Sequence, residues 1–276
     1  MQYEQAKELL DSDFKRLFGV HLSTFEAMVG VIEQRGQTKK KAGRTSKLSV
    51  PDQVLITLQY WREYRTYFHI AQDWGVAEST ICCTVQRVET SLIRSGKFRL
   101  PGKKLLLTNP DPPKTIEVDV TESPIERPKR YQKRFYSGKK KRHTLKIQWV
   151  VDQHTQQIVC TAYGKGRRHD FKLFVRTQVR LHPQRVGLGD KGYQGWQKLH
   201  SKVRIPKKKP KGGTLSATDK RYNRTLTQQR VVAEHVNRRL KIFKILSERY
   251  RNRRRRFGLR CNLIAALYNY ELALAS

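Results

Sequence analysis

The chain carries the segment KTIEVDVTE at residues 114–122, followed by HTLKIQWVVD at residues 143–152. In both segments apolar and polar side chains alternate, which is the pattern of β-strands with one buried face. Two further segments, QQIVCTAYG at 156–164 and RVGLGDKGY at 185–193, predict a third and a shorter fourth strand. These segments therefore predict a β-sheet in the second half of the chain.

Helical patterns lie between and after these strands. HDFKLFVRTQ at 169–178 predicts a helix that Asp170 could cap. A further strand is expected near residues 203–205, and a long helix from about residue 219 to residue 246. The order of these elements predicts the α/β class, with a mixed sheet flanked by helices.

The composition is strongly basic. The 276 residues include 58 Lys and Arg against 23 Asp and Glu, which gives a formal net charge of +35. Such a charge attracts polyanions, and counterion release from phosphates makes nucleic acid the expected partner. No apolar run reaches the roughly 18–20 residues of a membrane helix, and the first residues lack a signal-peptide pattern, so we expect no membrane partner and no secretion. Four cysteines without a CxxC pair favour reduced thiols in the cytoplasm.

The first part of the chain predicts a helical DNA-binding domain. TYFHIAQDWGVAESTICCTVQRVETSLI has the layout of a helix-turn-helix, with the small Ala71 where two helices cross and Gly75 at the turn. We place the motif at about residues 48–93. An ordinary pair of core helices is the alternative. The second helix is expected to present four side chains to a major groove: Ser79, Thr80, Thr84 and Arg87.

The segment LPGKKLLLTNPDPPK is rich in Pro and Gly and marks a boundary. We therefore predict a small all-α domain at residues 1–100, a linker at 101–114 and an α/β domain at 115–276. The α/β domain would hold most of the excess positive charge.

Three carboxylates stand out against this basic background. Asp119 lies in the middle of the first strand, Asp190 follows the fourth strand, and Glu234 lies beside the apolar stripe of the long helix. If the fold gathers them, their oxygens suit hard divalent cations, and two such ions can promote attack at a phosphorus atom. Glu117 shares a strand face with Asp119 and is a rival ligand. For Glu234 the alternative is a solvent-exposed ion pair with Arg230.

Basic side chains are interleaved with aromatic ones between residues 121 and 143, and a lysine run follows residue 206. Cations and rings together suit contacts with phosphates and bases. Solvated surface is the alternative for both segments. The candidate DNA contacts are Lys139, Lys140, Lys141, Arg142, Lys207, Lys208 and Lys209.

Long blocks surround the three carboxylates: VDVTESPIERPKRYQKRFYSGKKKRHTLK around Asp119, GLGDKGYQG around Asp190 and RVVAEHVNRRLKIFKILSERY around Glu234. With LITLQYWREYRTYFHIA in the helical domain, they resemble the DDE transposases of bacterial insertion sequences over nearly the whole chain. The resemblance is greatest to the group with a DDE superfamily endonuclease domain related to Harbinger elements.

This resemblance implies an RNase H-like fold in which Asp119, Asp190 and Glu234 bind two Mg²⁺ or Mn²⁺ ions. It also implies a transposase that binds the terminal inverted repeats of its own double-stranded DNA element, cleaves phosphodiester bonds there and joins the 3′ ends to target DNA. Such a protein would act in the bacterial cytoplasm at the nucleoid, as a homodimer or larger assembly. The alternative is a catalytically inactive or domesticated relative that binds DNA without cutting it.

The resemblance also implies roles for neighbouring residues. The related signature Y-x2-R-x3-E-x6-K is met at Arg230, Glu234 and Lys241, although Thr227 stands where the signature has Tyr. Arg230 and Lys241 would then steady the scissile phosphate or the glutamate. The pair His169 and Asp170 matches a His-Asp pair of the family and is expected near the metal ions.

Overall fold

The computed structural model describes residues 2–37, 46–109 and 114–275, and the chain divides into two compact units. The helical unit contains the chain up to Arg99, Leu240–Glu248 and the segment from Arg255 onward. The sheet unit contains Leu100–Arg239 and Arg249–Arg254. The last helix of the chain therefore belongs with the N-terminal helices. The linker at 101–114 stays a prediction.

The described helices of the helical unit are α1 (Tyr3–Ala6), α2 (Asp11–Phe18), α3 (Leu22–Gln37), α4 (Val50–Glu63), α5 (Tyr67–Trp74), α6 (Glu78–Ser95), α11 (Lys244–Ser247) and α12 (Phe257–Leu274). The predicted turn between α5 and α6 is confirmed, because Gly75 ends α5 with a φ of +60°, which glycine adopts without strain. Ala71 is 1% exposed, as the close crossing of two helices requires.

The prediction that Thr84 faces a DNA groove is wrong. Thr84 is 2% exposed, because it lies on the buried stripe of α6 together with Ile81, Val85 and Val88. The other three predicted contacts are exposed: Ser79, Thr80 and Arg87. The face of α6 that can meet DNA is therefore narrower than the sequence pattern indicated.

The strands of the sheet unit are β1 (Thr115–Pro124), β2 (Tyr136–Ser137), β3 (Arg142–Asp152), β4 (Ile158–Lys165), β5 (Val186–Gly189) and β6 (Val203–Arg204). β3 pairs antiparallel with β1, β2 and β4, whereas β1, β5 and β6 run parallel to one another. The predicted mixed sheet is confirmed.

The helices of this unit are α7 (Gln132–Phe135), α8 (Asp170–Arg176), α9 (Ala217–Gln229) and α10 (Val231–Leu240). An apolar cluster on one face of the sheet includes Ile116, Val118 and Phe174. Because successive strand residues point to opposite faces, Glu117 and Asp119 point away from the side that Ile116 and Val118 occupy. Burial of Ile116 and Val118 on one face of the sheet thus determines that Glu117 and Asp119 lie on the opposite face.

The predicted long helix over residues 219–246 is not continuous. α9 ends at Gln229, and the backbone N–H of Arg230 donates to the carbonyls of Leu226 and Thr227 before α10 begins at Val231. The sequence gives no warning of this break, since it contains neither Pro nor Gly there. Arg230 is consequently the residue at the junction, and Glu234 lies in the first turn of α10.

Candidate active site

The parallel pairing of β1 and β5 places Asp119 beside Asp190. Val118 of β1 is in register with Gly189 of β5. Asp119 follows Val118 directly, and Asp190 follows Gly189 directly. Adjacent strands lie about 4.8 Å apart, so the backbone positions that carry the two carboxylates are neighbours. The prediction that the fold gathers these two residues is supported by this register.

Two glycines of β5 allow the chain after Asp190 to fold back closely. A Cβ at Gly187 would lie 2.9 Å from the ring of Trp196, and a Cβ at Gly189 would lie 3.2 Å from Tyr193. Both rings are buried and pack against the sheet. Asp190 begins the resulting turn, and its Oδ1 accepts a hydrogen bond of 2.8 Å from the N–H of Gly192.

The charges around Asp119 show which groups face it. Burial raises the pKa of the Asp119 carboxyl above its ordinary value, and the guanidinium of Arg230 lowers it. The negative charges of Asp190 and Glu234 raise that pKa further. Nη2 of Arg230 lies 3.9 Å from Oδ1 of Asp119. The charges of Asp190 and Glu234 therefore both act on Asp119, with Arg230 as a counter-charge.

Glu117, the rival ligand, has a different environment. Its side chain is completely buried, and Oε2 accepts a hydrogen bond of 3.1 Å from the backbone N–H of Ala233. Burial raises its pKa to about 8. Glu234, in contrast, is exposed. Glu117 is thus engaged with the backbone of α10, whereas Glu234 remains accessible to a ligand.

Asp170 is not the cap of α8, so that prediction is wrong. The N-cap is His169, which is exposed, and Oδ1 of Asp170 instead accepts a hydrogen bond of 2.6 Å from Nζ of Lys146. A Cβ at Gly192 would lie 2.9 Å from Oδ1 of Asp190 and 3.4 Å from Oδ2 of Asp170. Asp170 therefore borders the same glycine as Asp190.

Lys146 is a residue of this region that the sequence reasoning missed. It is 7% exposed on β3, and its Nζ also lies 3.9 Å from Oε1 of Glu122. A lysine flanked by Leu145 and Ile147 in an apolar strand is a signal that could have identified it, since buried lysines require a negative partner.

The side chains of the three predicted carboxylates suit a divalent cation, but in the structure they do not form a three-ligand group. Among the described residues, no three His, Cys, Asp or Glu side chains form a group that could hold a metal ion. Asp119, Asp190 and Glu234 nevertheless offer carboxylate oxygens only, which are the ligands Mg²⁺ prefers. Their mutual repulsion at Asp119 is a cost that a bound cation would offset.

The remaining predicted residues lie elsewhere. Lys241 belongs to the helical unit and follows the end of α10. Thr227, which replaces the Tyr of the signature, is exposed on α9, and its hydroxyl donates to the carbonyl of Asn223. The seven basic DNA-contact candidates are all exposed: Lys139, Lys140, Lys141, Arg142, Lys207, Lys208 and Lys209.

Known protein families account for both parts of the chain. A model described as DDE superfamily endonuclease matches residues 118–269, a range that includes Asp119, Asp190 and Glu234. The chain belongs to the DDE superfamily endonuclease family. The helix-turn-helix of the same superfamily matches residues 46–98, which covers α4, α5 and α6.

The curated relatives are transposases by name. One, from Microchaete diplosiphon, is named as a transposase for insertion sequence element IS702 and is 56% identical over 274 residues, which cover 99% of each chain. Another, named for insertion sequence element IS112 of Streptomyces albus G, is 24% identical over 233 residues, covering 83% of this chain and 84% of the relative. No solved structure matches. This DDE family member is accordingly a transposase of the insertion-sequence type.

The structure also bears on the predictions about membrane helices and cysteines. Within residues 2–37, 46–109 and 114–275, no helix is long and apolar enough to cross a bilayer. The four cysteines are unpaired thiols.

The raised pKa of Glu117 predicts a dependence of stability on pH. The folded chain keeps the Glu117 proton to about pH 8, whereas the unfolded chain releases it near the ordinary value of 4.5. Because the native state binds more protons in this interval, the free energy of unfolding is expected to fall as pH rises through it, by up to about 1.4 kcal/mol per pH unit.

Denaturant unfolding in EDTA across this pH interval measures the effect. Glu117→Gln keeps an acceptor oxygen without the titrating proton and should flatten the profile, while Glu126→Gln, at an exposed glutamate, should leave it unchanged. A wild-type profile as flat as that of Glu117→Gln contradicts the prediction.

Proposed function

We propose that this transposase is catalytically active and uses Asp119, Asp190 and Glu234 to bind two Mg²⁺ or Mn²⁺ ions. The single observation that supports this most is the register of β1 and β5, which sets Asp119 and Asp190 side by side. When bound, the ions supply activation of a water or a 3′-hydroxyl and charge stabilisation of the leaving oxygen. The reaction is cleavage at the terminal inverted repeats, followed by joining of the 3′ ends to target DNA.

Arg230 is proposed to serve the phosphate. Its Nη2 lies 3.9 Å from Oδ1 of Asp119, and its buried Nε has no hydrogen-bond partner within the described part of the chain. A guanidinium offers several donors in a fixed plane, which suits phosphate oxygens. Arg230 would therefore hold the scissile phosphate next to the carboxylates while balancing their charge.

The DNA-binding surface of the sheet unit is proposed to include a basic cavity of about 590 Å³. Arg127, Lys133 and Arg167 line it together with the rings of Tyr136 and His143, and none of its lining residues is acidic. Cations would contact phosphates and the rings would contact bases or sugars. The exposed run Lys139–Arg142 lies in the same part of the chain.

In the helical unit, α6 is proposed to bind a major groove through its exposed side chains Ser79, Thr80 and Arg87. Two DNA ends must be brought together before joining, so we propose a homodimer or larger assembly acting on double-stranded DNA. The expected location is the bacterial cytoplasm, at the nucleoid.

The lysine run after β6 gives a prediction for salt dependence. Lys207, Lys208 and Lys209 are exposed, and the backbone of Lys207 forms hydrogen bonds of 2.7 and 3.1 Å with the side chain of Asn223 on α9. If all three lysines contact phosphates, replacing them with Ala should reduce the slope of log K against log salt by about 2.7.

Fluorescence anisotropy titrations of duplex DNA at several salt concentrations measure that slope. Lys198→Ala, at another exposed lysine of the sheet unit, is the control. It shows how much the slope changes when a positive charge is lost outside the lysine run. An unchanged slope in the triple variant would place the phosphate contacts elsewhere.

The test of the function itself is cleavage of a supercoiled plasmid that carries the gene with its native flanks. We expect breaks at the ends of the element in Mg²⁺ or Mn²⁺ and none in EDTA, and we expect labelled 3′ ends to join a second plasmid. Tight binding to the ends without cleavage in either metal would favour the inactive or domesticated relative.

A further inference from the structure

The helix that carries Glu234 begins at a break next to the sheet. α9 ends at Gln229 and α10 begins at Val231. The last carbonyl groups of α9 and the first amide groups of α10 therefore lie next to this break. These terminal groups have no partners within their own helices. Val231 and Val232, the first residues of α10, are only half-buried. Packing of these two apolar side chains is therefore not sufficient to hold the first turn of α10 in place.

Glu117 ties the start of α10 to β1. Its fully buried carboxyl group accepts a hydrogen bond from the N–H of Ala233, the third residue of α10, through Oε2 at 3.1 Å. Asp119 follows two residues later on β1, and Glu234 follows Ala233 directly. One hydrogen bond thus connects a residue two positions before Asp119 to the residue directly before Glu234, the two being proposed metal ligands.

Gln153 ties the end of α9 to the same strand. Its Nε2 donates to the carbonyl of Gln229, and its backbone N–H donates to the carbonyl of Thr115 at 3.0 Å. Thr115 is the first residue of β1. Both sides of the helix break are therefore attached to β1: α10 through Glu117 on that strand, and α9 through Gln153, which follows β3 and bonds to Thr115.

We propose that Glu117 and Gln153 are positioning residues, which fix the α9–α10 junction on the sheet and thereby set the position of Glu234 relative to Asp119. The consequence for the reaction rests on the proposed function. A misplacement of about 1 Å in an active site can lower a rate by about 100-fold, so the loss of this attachment should reduce turnover without weakening DNA binding.

Amide hydrogen exchange of the full-length protein measures the attachment directly. Glu117→Met removes the acceptor at similar size, and exchange at the Ala233 amide should become faster by about tenfold or more, since a buried donor loses its partner. Glu117→Gln retains a carbonyl oxygen and should restore protection to near the wild-type level. If Glu117→Met leaves this exchange unchanged, the hydrogen bond does not hold the helix and the proposal fails.

End-cleavage kinetics provide the second readout. We expect Glu117→Met to lower kcat by about 10- to 100-fold with KM for DNA unchanged, and Glu117→Gln to recover most of that loss. A Glu117→Gln variant as defective as Glu117→Met would show that accepting this hydrogen bond is not what sustains turnover and would overturn the positioning role. A wild-type protein without cleavage would contradict the proposed function, while the exchange experiment would still decide the attachment.

Arg185→Met is the matched control for general loss of stability. Arg185 is 4% exposed at the other end of β5 from Asp190, and its guanidinium donates to the carbonyl of Leu105 at 2.9 Å. Its replacement should lower the melting temperature while leaving exchange at Ala233 and kcat of the folded protein near wild-type values. If this control lowers kcat as much as Glu117→Met does, the effect is one of stability and the proposal is refuted.

Discussion

Replacing Asp119 or Asp190 with Asn is expected to reduce cleavage of element-end DNA by about 10³-fold or more, which corresponds to a loss of about 4 kcal/mol of transition-state stabilisation. Each substitution removes one negative charge from the pair that β1 and β5 set side by side, with little change of volume. DNA binding should persist or become slightly tighter, because a repulsive charge near the phosphates is lost.

The measurement is the initial rate of strand cleavage in Mg²⁺, with DNA affinity determined on the same samples. Asp219→Asn is the matched control, since this aspartate lies in the first turn of α9 and the substitution removes the same charge. Its rate should equal that of the wild type. Cleavage by Asp119→Asn within a few-fold of the wild-type rate is incompatible with a role for this carboxylate in binding the ions.

Replacing Glu89 with Ala is expected to destabilise the helical unit by about 3–5 kcal/mol. Glu89 lies on α6, is completely buried and accepts hydrogen bonds from Trp61, Arg256 and Arg260 at 3.0, 2.5 and 2.6 Å. The substitution leaves the guanidinium of Arg260, only 2% exposed, without its negative partner. Since α6 carries the proposed groove contacts, DNA binding should be lost over the same temperature range.

Thermal unfolding followed by circular dichroism measures this effect, and a decrease of the melting temperature by about 10 °C or more is expected. Glu78→Ala, at an exposed position in the first turn of the same helix, should change stability by less than about 1 kcal/mol. Equal melting temperatures for Glu89→Ala and Glu78→Ala would show that the buried ion pairs contribute no net stability.

Local patterns are sufficient to predict five of the six described strands, all but the two-residue β2, and the positions of two of the proposed ligands. Alternation along β1 and β3 follows directly from burial of one face, and the pairing of β1 with β5 then brings Asp119 to Asp190. The turn at Gly75 is predictable from local chemistry as well, because a left-handed residue between two helices favours glycine.

Features that depend on distant contacts could not be predicted in this way. The break after Gln229 has no helix-breaking residue, and its attachments come from Glu117 and Gln153, more than 70 residues earlier in the chain. Asp170 accepts a hydrogen bond from Lys146 instead of capping its helix, a choice set by the neighbouring strand. Thr84 was misplaced because threonine is compatible with either a buried or an exposed helix position.

The grouping of α12 with the N-terminal helices was likewise unpredicted. Arg260 and Arg256, near the end of the chain, pair with Glu89 in the helical unit. The order of elements in the sequence predicts one domain after the linker, whereas these ion pairs join segments about 170 residues apart. A pattern read over a short window contains no information about such partners.

The third metal ligand has two candidates, because Glu234 and Asp170 are both acidic neighbours of the aspartate pair. The measurement is the rate of element-end cleavage in Mg²⁺ by Glu234→Ala, compared with Asp170→Asn. If Asp119, Asp190 and Glu234 form the site, Glu234→Ala should lose cleavage about as completely as the aspartate variants, and Asp170→Asn should retain more. Cleavage that survives in Glu234→Ala and disappears in Asp170→Asn would show that Asp170, and not Glu234, is the third ligand.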